Sequence, residues 1–328
     1  MDRHSTSITT PNSEANPETL DAIGVSTRRS TRVIPSTTSQ GPLETIIKIQ
    51  TPEFQDRAAF FEFVLSTITQ NQGTEAIFFT GVKTEWGPAA FHFLESKKDF
   101  LHLKKTWNPN EHILQLKMPT VPHNSAATWF EETKHEWVLD GQMTRAEAKA
   151  LKSCSGGDLL DFSQGPYRTG QKGPDFLIIP KNKDGLLRNY YGQAIYMPTL
   201  AMESGWLEGY EDLLRDMNML LVGGNEAMRV VFLVVWSRQV EGVYCRVEKW
   251  TIDRNGIPRQ VLPSQVVFPR PDPPTVKTFS VTFDDLFGCN LRPQFPNRNK
   301  RDTLTFDVNV FRRDFAVSDL EITGYQPL

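Results

Sequence analysis

The chain has 328 residues, with 36 basic and 39 acidic side chains, a net charge of −3 and an apolar fraction of 39%. That length holds one large domain or two small ones and can bury a substantial core. The near balance of charge excludes holding nucleic acid by bulk positive charge, so such binding would need a local basic patch. Cys154, Cys245 and Cys289 are far apart and odd in number. This supports neither a zinc ribbon nor a disulfide scaffold and points to a reducing compartment. Met1 is not followed by the apolar stretch of a secretory signal, and the run Val230–Trp236 is too short to span a bilayer. A soluble intracellular protein is expected, cytoplasmic or nuclear and not secreted.

Residues 1–42 are rich in Ser, Thr, Pro and Asn and cannot bury enough apolar surface to offset their ordering entropy, so a disordered tail is expected. A strand follows at Glu44–Ile49. Thr51-Pro52-Glu53 then predicts a helix N-terminus, with Phe54, Ala58, Phe61, Val64 and Leu65 on its apolar side. Ala76–Phe79 predicts another strand, and residues 43–98 are expected to form a small α/β unit. Phe100–Met118 predicts a hairpin turning at Asn108-Pro109-Asn110. Ala126, Trp129, Phe130, Thr133 and Trp137 repeat at the helical period. Thr144-Arg145-Ala146-Glu147 is a capping box, and Leu159–Phe162 a brief strand.

The next stretch is the most structured of all. Phe176–Ile179 and Thr199–Glu203 predict strands, and an amphipathic helix carries Tyr210, Leu213, Leu214, Met217 and Leu221 on its core face. Val230–Trp236 and Val243–Val247 predict two further strands. A Pro-rich loop over 263–274 leads to Phe279–Phe283, a helical turn at Asp284–Phe287 and a strand over Leu304–Val310. Residues 99–262 are expected to be the core and 263–328 an extension packed on it.

Asp175 opens one predicted strand and Glu203 ends the next. Alternate side chains share a face, so Asp175 goes with Leu177 and Ile179, and Glu203 with Thr199 and Ala201. If the strands pair, both carboxylates reach one point at a sheet edge. Hard oxygen ligands of that kind suit Mg²⁺ or Mn²⁺ with bound water and phosphate. Glu131 and Glu132 are candidates for a third acid. The six histidines show no zinc spacing, and no Gly-rich phosphate loop or nucleophile elbow is present. Asn297–Arg301 with Arg312-Arg313 is the best basic patch, more simply a solvated loop than a nucleic-acid contact.

The segment 110–250 resembles the PD-(D/E)xK nuclease superfamily, which has the restriction-endonuclease-like fold, and within it a group of fungal proteins. The resemblance is carried by Lys117-Met118-Pro119-Thr120 with His123, Lys172-Gly173-Pro174-Asp175 and Pro198–Gly205. It continues through Glu208, Leu213-Leu214-Arg215-Asp216 and Glu248-Lys249-Trp250. It implies an α/β (α+β) fold with a mixed sheet flanked by helices, with Asp175 and Glu203 as metal ligands. At the position of the superfamily's lysine, two residues after the second acid, stands Gly205. The replacement cation would be Lys172, Arg215 or Lys249, of which arginine is a poor base because it stays protonated. Two functions follow: Mg²⁺-dependent hydrolysis of nucleic-acid phosphodiesters, or a catalytically inactive nuclease-like domain that binds nucleic acid or protein.

Overall fold

The computed structural model describes residues 46–118, 121–155, 160–181, 198–205, 209–239, 242–271 and 277–316; the tail expected over 1–42 lies outside them. β1 (Ile46–Gln50) leads through α1 (Arg57–Gln70) to β2 (Ala76–Thr80), which runs parallel to it. The helix start predicted at Thr51-Pro52-Glu53 is displaced. Thr51 N–H donates to Thr80 O at 2.8 Å, so the chain still follows the sheet there. Asp56 is the actual cap, its carboxylate accepting from Ala59 N–H at 2.9 Å.

After α2 (Trp86–Glu95), which the sequence reading left unassigned, come β3 (Lys104–Asn108) and β4 (Ile113–Lys117). They form a hairpin within the predicted segment, but its first strand begins at Lys104, after a 3-10 turn over Lys98–Phe100 and turns through Leu103, and β4 pairs antiparallel with β2. Strand pairing therefore crosses the 98/99 division expected between an N-terminal unit and a core. α3 (Val121–Leu139) and α4 (Arg145–Ala150) follow, the latter started by the Thr144–Glu147 capping box. β5 (Leu151–Ser155) was not expected. β6 (Leu160–Asp161) and β7 (Gln171–Lys172) complete a six-stranded sheet ordered β1-β2-β4-β3-β7-β6.

The second sheet takes β8 (Phe176–Pro180) and β9 (Leu200–Gly205). After α5 (Tyr210–Gly223) it adds β10 (Val230–Gln239), β11 (Gly242–Ile252) and β12 (Pro258–Gln260). Its order is β12-β11-β10-β9-β8-β5, with β13 (Gln265–Phe268) also on β11. Only β9 and β10 run parallel, through α5; the other pairs are antiparallel. β13 falls where the sequence predicts only a Pro-rich loop. Last come β14 (Thr278–Thr282), α6 (Phe283–Phe287), α7 (Leu291–Gln294), β15 (Thr303–Asp307) and α8 (Val308–Ala316). Residues 308–310, predicted as strand, are the first turn of α8. The architecture is mixed α/β, with mixed sheets flanked by helices.

Alternation sorts the second sheet into two apolar faces. Phe176, Ile178, Met202, Phe232 and Val234 meet α3 and the C-terminal elements, where Trp129 and Trp137 pack on Phe306. Both indole N–H groups are satisfied, by Asp307 O at 3.0 Å and Thr305 O at 2.8 Å. Leu177, Ala201, Val231 and Leu233 on the opposite face meet Leu213, Met217 and Leu220 of α5.

The first sheet is different. One face, with Ile77, Phe79, Trp107, Leu114 and Leu116, packs under α1 and α2. On the other face the register runs Lys48–Phe78–Gln115–Thr106–Lys172, with Lys104 beside Lys117. A row of lysines thus faces the rest of the molecule.

Candidate active site

The Lys172–Asp175 tetrapeptide carries the chain from one sheet to the other. Lys172 ends β7 in the first sheet, Gly173 N–H donates to Lys105 O at 2.9 Å, and Asp175 immediately precedes β8 in the second. β8 and β9 pair with Phe176 opposite Met202, so one step further Asp175 comes opposite Glu203. Both carboxylates lie on the face that packs on α5, as alternation predicts. Ser204 N–H fixes the pairing by donating to Asp175 Oδ2 at 2.7 Å.

Three lysines of the first sheet meet these acids. Lys104 Nζ donates to Asp175 Oδ1. Lys172 Nζ lies 3.3 Å from Glu203 Oε1 and 2.9 Å from Asp216 Oδ2 on α5. Lys117 Nζ donates to the same Asp216 oxygen at 2.7 Å. Three carboxylates therefore face three ammonium groups, and all six side chains are buried. Charges sunk this far persist only when paired. One turn earlier on α5, Asp212 receives Lys48 Nζ at 3.1 Å and the Arg215 guanidinium.

Burial pushes the Glu203 carboxyl up to about 8, against the pull of Lys172 and with Asp175 and Asp216 adding to the rise. Asp216 is held low: burial alone would raise it, but Lys117 and Lys172 outweigh that. Burial would also lower Lys172, yet Asp216 and Glu203 keep its ammonium above the ordinary lysine value. Glu203 Oε1 is buried without a hydrogen-bond partner.

The structure thus brings together Asp175, Glu203 and Lys172 of the sequence-predicted residues. Arg215 sits on α5 but its ion pairs go to Asp212 and Glu111. Lys249 projects from the opposite face of the second sheet and donates to Ser280 O. Glu131 and Glu132 line a surface groove along α3 and α4, away from the cluster, and Glu131 pairs with Lys134 at 2.6 Å. In the basic stretch, Arg298 donates to both Glu147 oxygens at 2.7 Å, and Arg312 to Val267 O at 2.8 Å. These two arginines are committed to structure. Glu248 lies in the same cross-strand row as Glu203, with Leu233 between them. It is caged by Tyr210 Oη at 2.8 Å, Arg246 Nε at 2.9 Å and Trp250 Nε1 at 3.0 Å.

Sequence reasoning missed Lys104, and gave Lys117 and Asp216, both in segments that carry the resemblance, no role. β4 sets Leu114 and Leu116 against Gln115 and Lys117, the signature of a sheet with one solvated face, and β3 has Trp107 among four polar residues. Nothing in the two strands announces that the polar face is buried.

Gly205 stands on the same strand face as Glu203. A Cβ there would come within 2.7 Å of Leu213 Cδ1 and 2.9 Å of its Cγ. Position 205 is closed to a side chain by the helix.

No protein-family model matches the chain, and no curated protein matches it. Among solved structures it is similar to a nuclease candidate belonging to DUF820 from Anabaena variabilis. That match has a TM-score of 0.29 and 11% identity, and covers 49% of this chain and 75% of the other. A superposition that loose carries no argument about fold or chemistry. Among the described residues, no helix is long and apolar enough to cross a membrane.

Proposed function

We propose that the chain is a nuclease-like protein acting on phosphodiesters of nucleic acid, with its site at Asp175, Glu203 and Lys172. The observation that carries this is the meeting of two carboxylates on one face of paired β8 and β9, with a lysine 3.3 Å from one of them. The lysine arrives from β7 instead of from position 205. The restriction-endonuclease-like resemblance of 110–250 agrees with this division of roles.

The donor set fits a hard divalent cation such as Mg²⁺ or Mn²⁺. It consists of two carboxylates, with one Glu203 oxygen buried and lacking a hydrogen-bond partner. Asp175 and Glu203 would hold the ion, which when bound supplies charge stabilisation and an activated water. Lys172 would contribute a fixed positive charge beside the phosphate, and Ser204 N–H would keep Asp175 oriented. Lys104 would have to release Asp175 Oδ1 for that oxygen to serve as ligand.

A second reading is favoured by that same contact. Both Asp175 oxygens are already engaged and Asp216 is held between Lys117 and Lys172, as suits a nuclease-like scaffold that binds without cleaving. Cleavage of single- and double-stranded DNA and RNA with Mg²⁺ or Mn²⁺ separates the two. Wild type should cut, Asp175→Asn should not, and Lys172→Met should cut far more slowly. Cutting that survives Asp175→Asn would remove the site, and no cutting together with no Mn²⁺ binding by calorimetry would establish the scaffold.

A further inference from the structure

The segment Leu213–Asp216 carries part of the resemblance, yet the reading above gives Asp216 no function. Asp216 is buried and its Oδ2 accepts from Lys117 Nζ at 2.7 Å and from Lys172 Nζ at 2.9 Å. Lys172 therefore sits nearer to Asp216 than to Glu203 Oε1, at 3.3 Å. A lysine stem is long and flexible, and its ammonium goes to whichever anion is fixed in reach. Asp216 is fixed. Its helix is held on one side by Leu213, Met217 and Leu220 against the second sheet, and on the other by Asp212 on Lys48.

The approach of α5 to β9 depends on the absence of a side chain at 205, since Leu213 fills that space. We infer that Asp216 is a positioning residue that places the Lys172 ammonium beside Glu203. We infer also that Gly205 is its structural counterpart. Removing the side chain at 205 lets α5 close down, and the closed helix presents the aspartate that recruits a lysine from the other sheet. This rests on Lys172 acting in the proposed site.

The test uses the full chain with Asp216→Asn, Asp216→Glu, Lys172→Met and the double variant Asp216→Asn/Lys172→Met. Asp216→Asn should lower kcat by about tenfold or more, with KM and Mn²⁺ affinity within about twofold of wild type. The double variant should be no slower than Lys172→Met alone, because the aspartate acts through the lysine. Asp216→Glu, which keeps the charge and moves it by one methylene, should fold and still lose rate. Additive losses, or a wild-type kcat in Asp216→Glu, would overturn the assignment. If the wild type cuts nothing, the proposed function falls but the positioning is still decided by crystal structures of Asp216→Asn and Asp216→Glu. Lys172 Nζ moving from its present place supports the assignment, and an unmoved ammonium refutes it.

Discussion

Alanine at position 205 is the smallest change that tests how tightly α5 is seated on β9. The new Cβ would stand 2.7, 2.9 and 3.0 Å from Leu213 Cδ1, Cγ and Cδ2. Leu213 is fully buried and packs among Met217, Leu233 and their neighbours, so it has no open space into which to withdraw. Overpacking of this kind costs about 1–3 kcal/mol. Replacing glycine lowers the entropy of the unfolded chain, which returns about 0.4–1 kcal/mol. Gly205→Ala should therefore lose about 1–2 kcal/mol in urea unfolding followed by tryptophan fluorescence. Leu213→Ala alone should lose about 2–5 kcal/mol, because it opens a cavity. The double variant should lose clearly less than the sum, since the new methyl enters the space the leucine vacates. A Gly205→Ala protein as stable as wild type, or strictly additive losses, would refute the claim that Leu213 closes this position. By the same reasoning Gly205→Lys, with a longer side chain, should be worse than Gly205→Ala.

Two further predictions concern pH. The Glu203 carboxyl has a higher affinity for its proton in the folded chain, about 8, than its ordinary value of 4.5. Between those values the unfolded chain has released the proton and the folded one has not, so stability falls as pH rises through the window and then levels off. Glu203→Gln removes this dependence. The variant should gain on wild type by an amount on the order of a few kcal/mol between pH 5 and pH 8.5; parallel urea midpoints at the two pH values would contradict it. Glu147 has the opposite sign. Burial alone would raise it, but Arg298 and the Thr144 cap outweigh that and hold it below 4.5. Its contribution is present above pH 4.5 and is lost as pH falls through the lower folded value. Glu147→Gln keeps a capping side chain and removes the charge facing Arg298, so it should cost about 1–2 kcal/mol at pH 7. That difference should close in acid, and a constant difference would show that the charge is not what matters.

Local signals were legible where one element decides its own fate. The Thr144 capping box, the Trp129–Trp137 face of α3 and the β3–β4 hairpin all stand as the residues indicate. So does the shared orientation of Asp175 and Glu203, because period-two alternation is a property of the strand alone. What escaped depends on partners distant in sequence. β5 was hidden because Lys152, Ser153 and Ser155 weaken its pattern, and it is secured by register with β8. Leu160 and Asp161 read as a core strand, yet they pair with β7 in the other sheet. Lys104 and Lys117 look like solvent-facing residues until α5 and the Asp175 strand end cover them.

That covered lysine row has a consequence for folding fidelity. Strands β3 and β4 are only five residues each, with Trp107, Leu114 and Leu116 on one face and Lys104 and Lys117 on the other, so a one-residue slip would cost little in backbone pairing. It would also turn every side chain over. Lys104 and Lys117 would then be driven among the phenylalanines beneath α1 and α2, and Asp175 and Asp216 would each lose a buried lysine partner. Each buried pair broken in this way costs about 3–5 kcal/mol. Whatever it contributes to net stability, the ionic layer makes misregistered hairpins the least tolerable of the alternatives open to this chain.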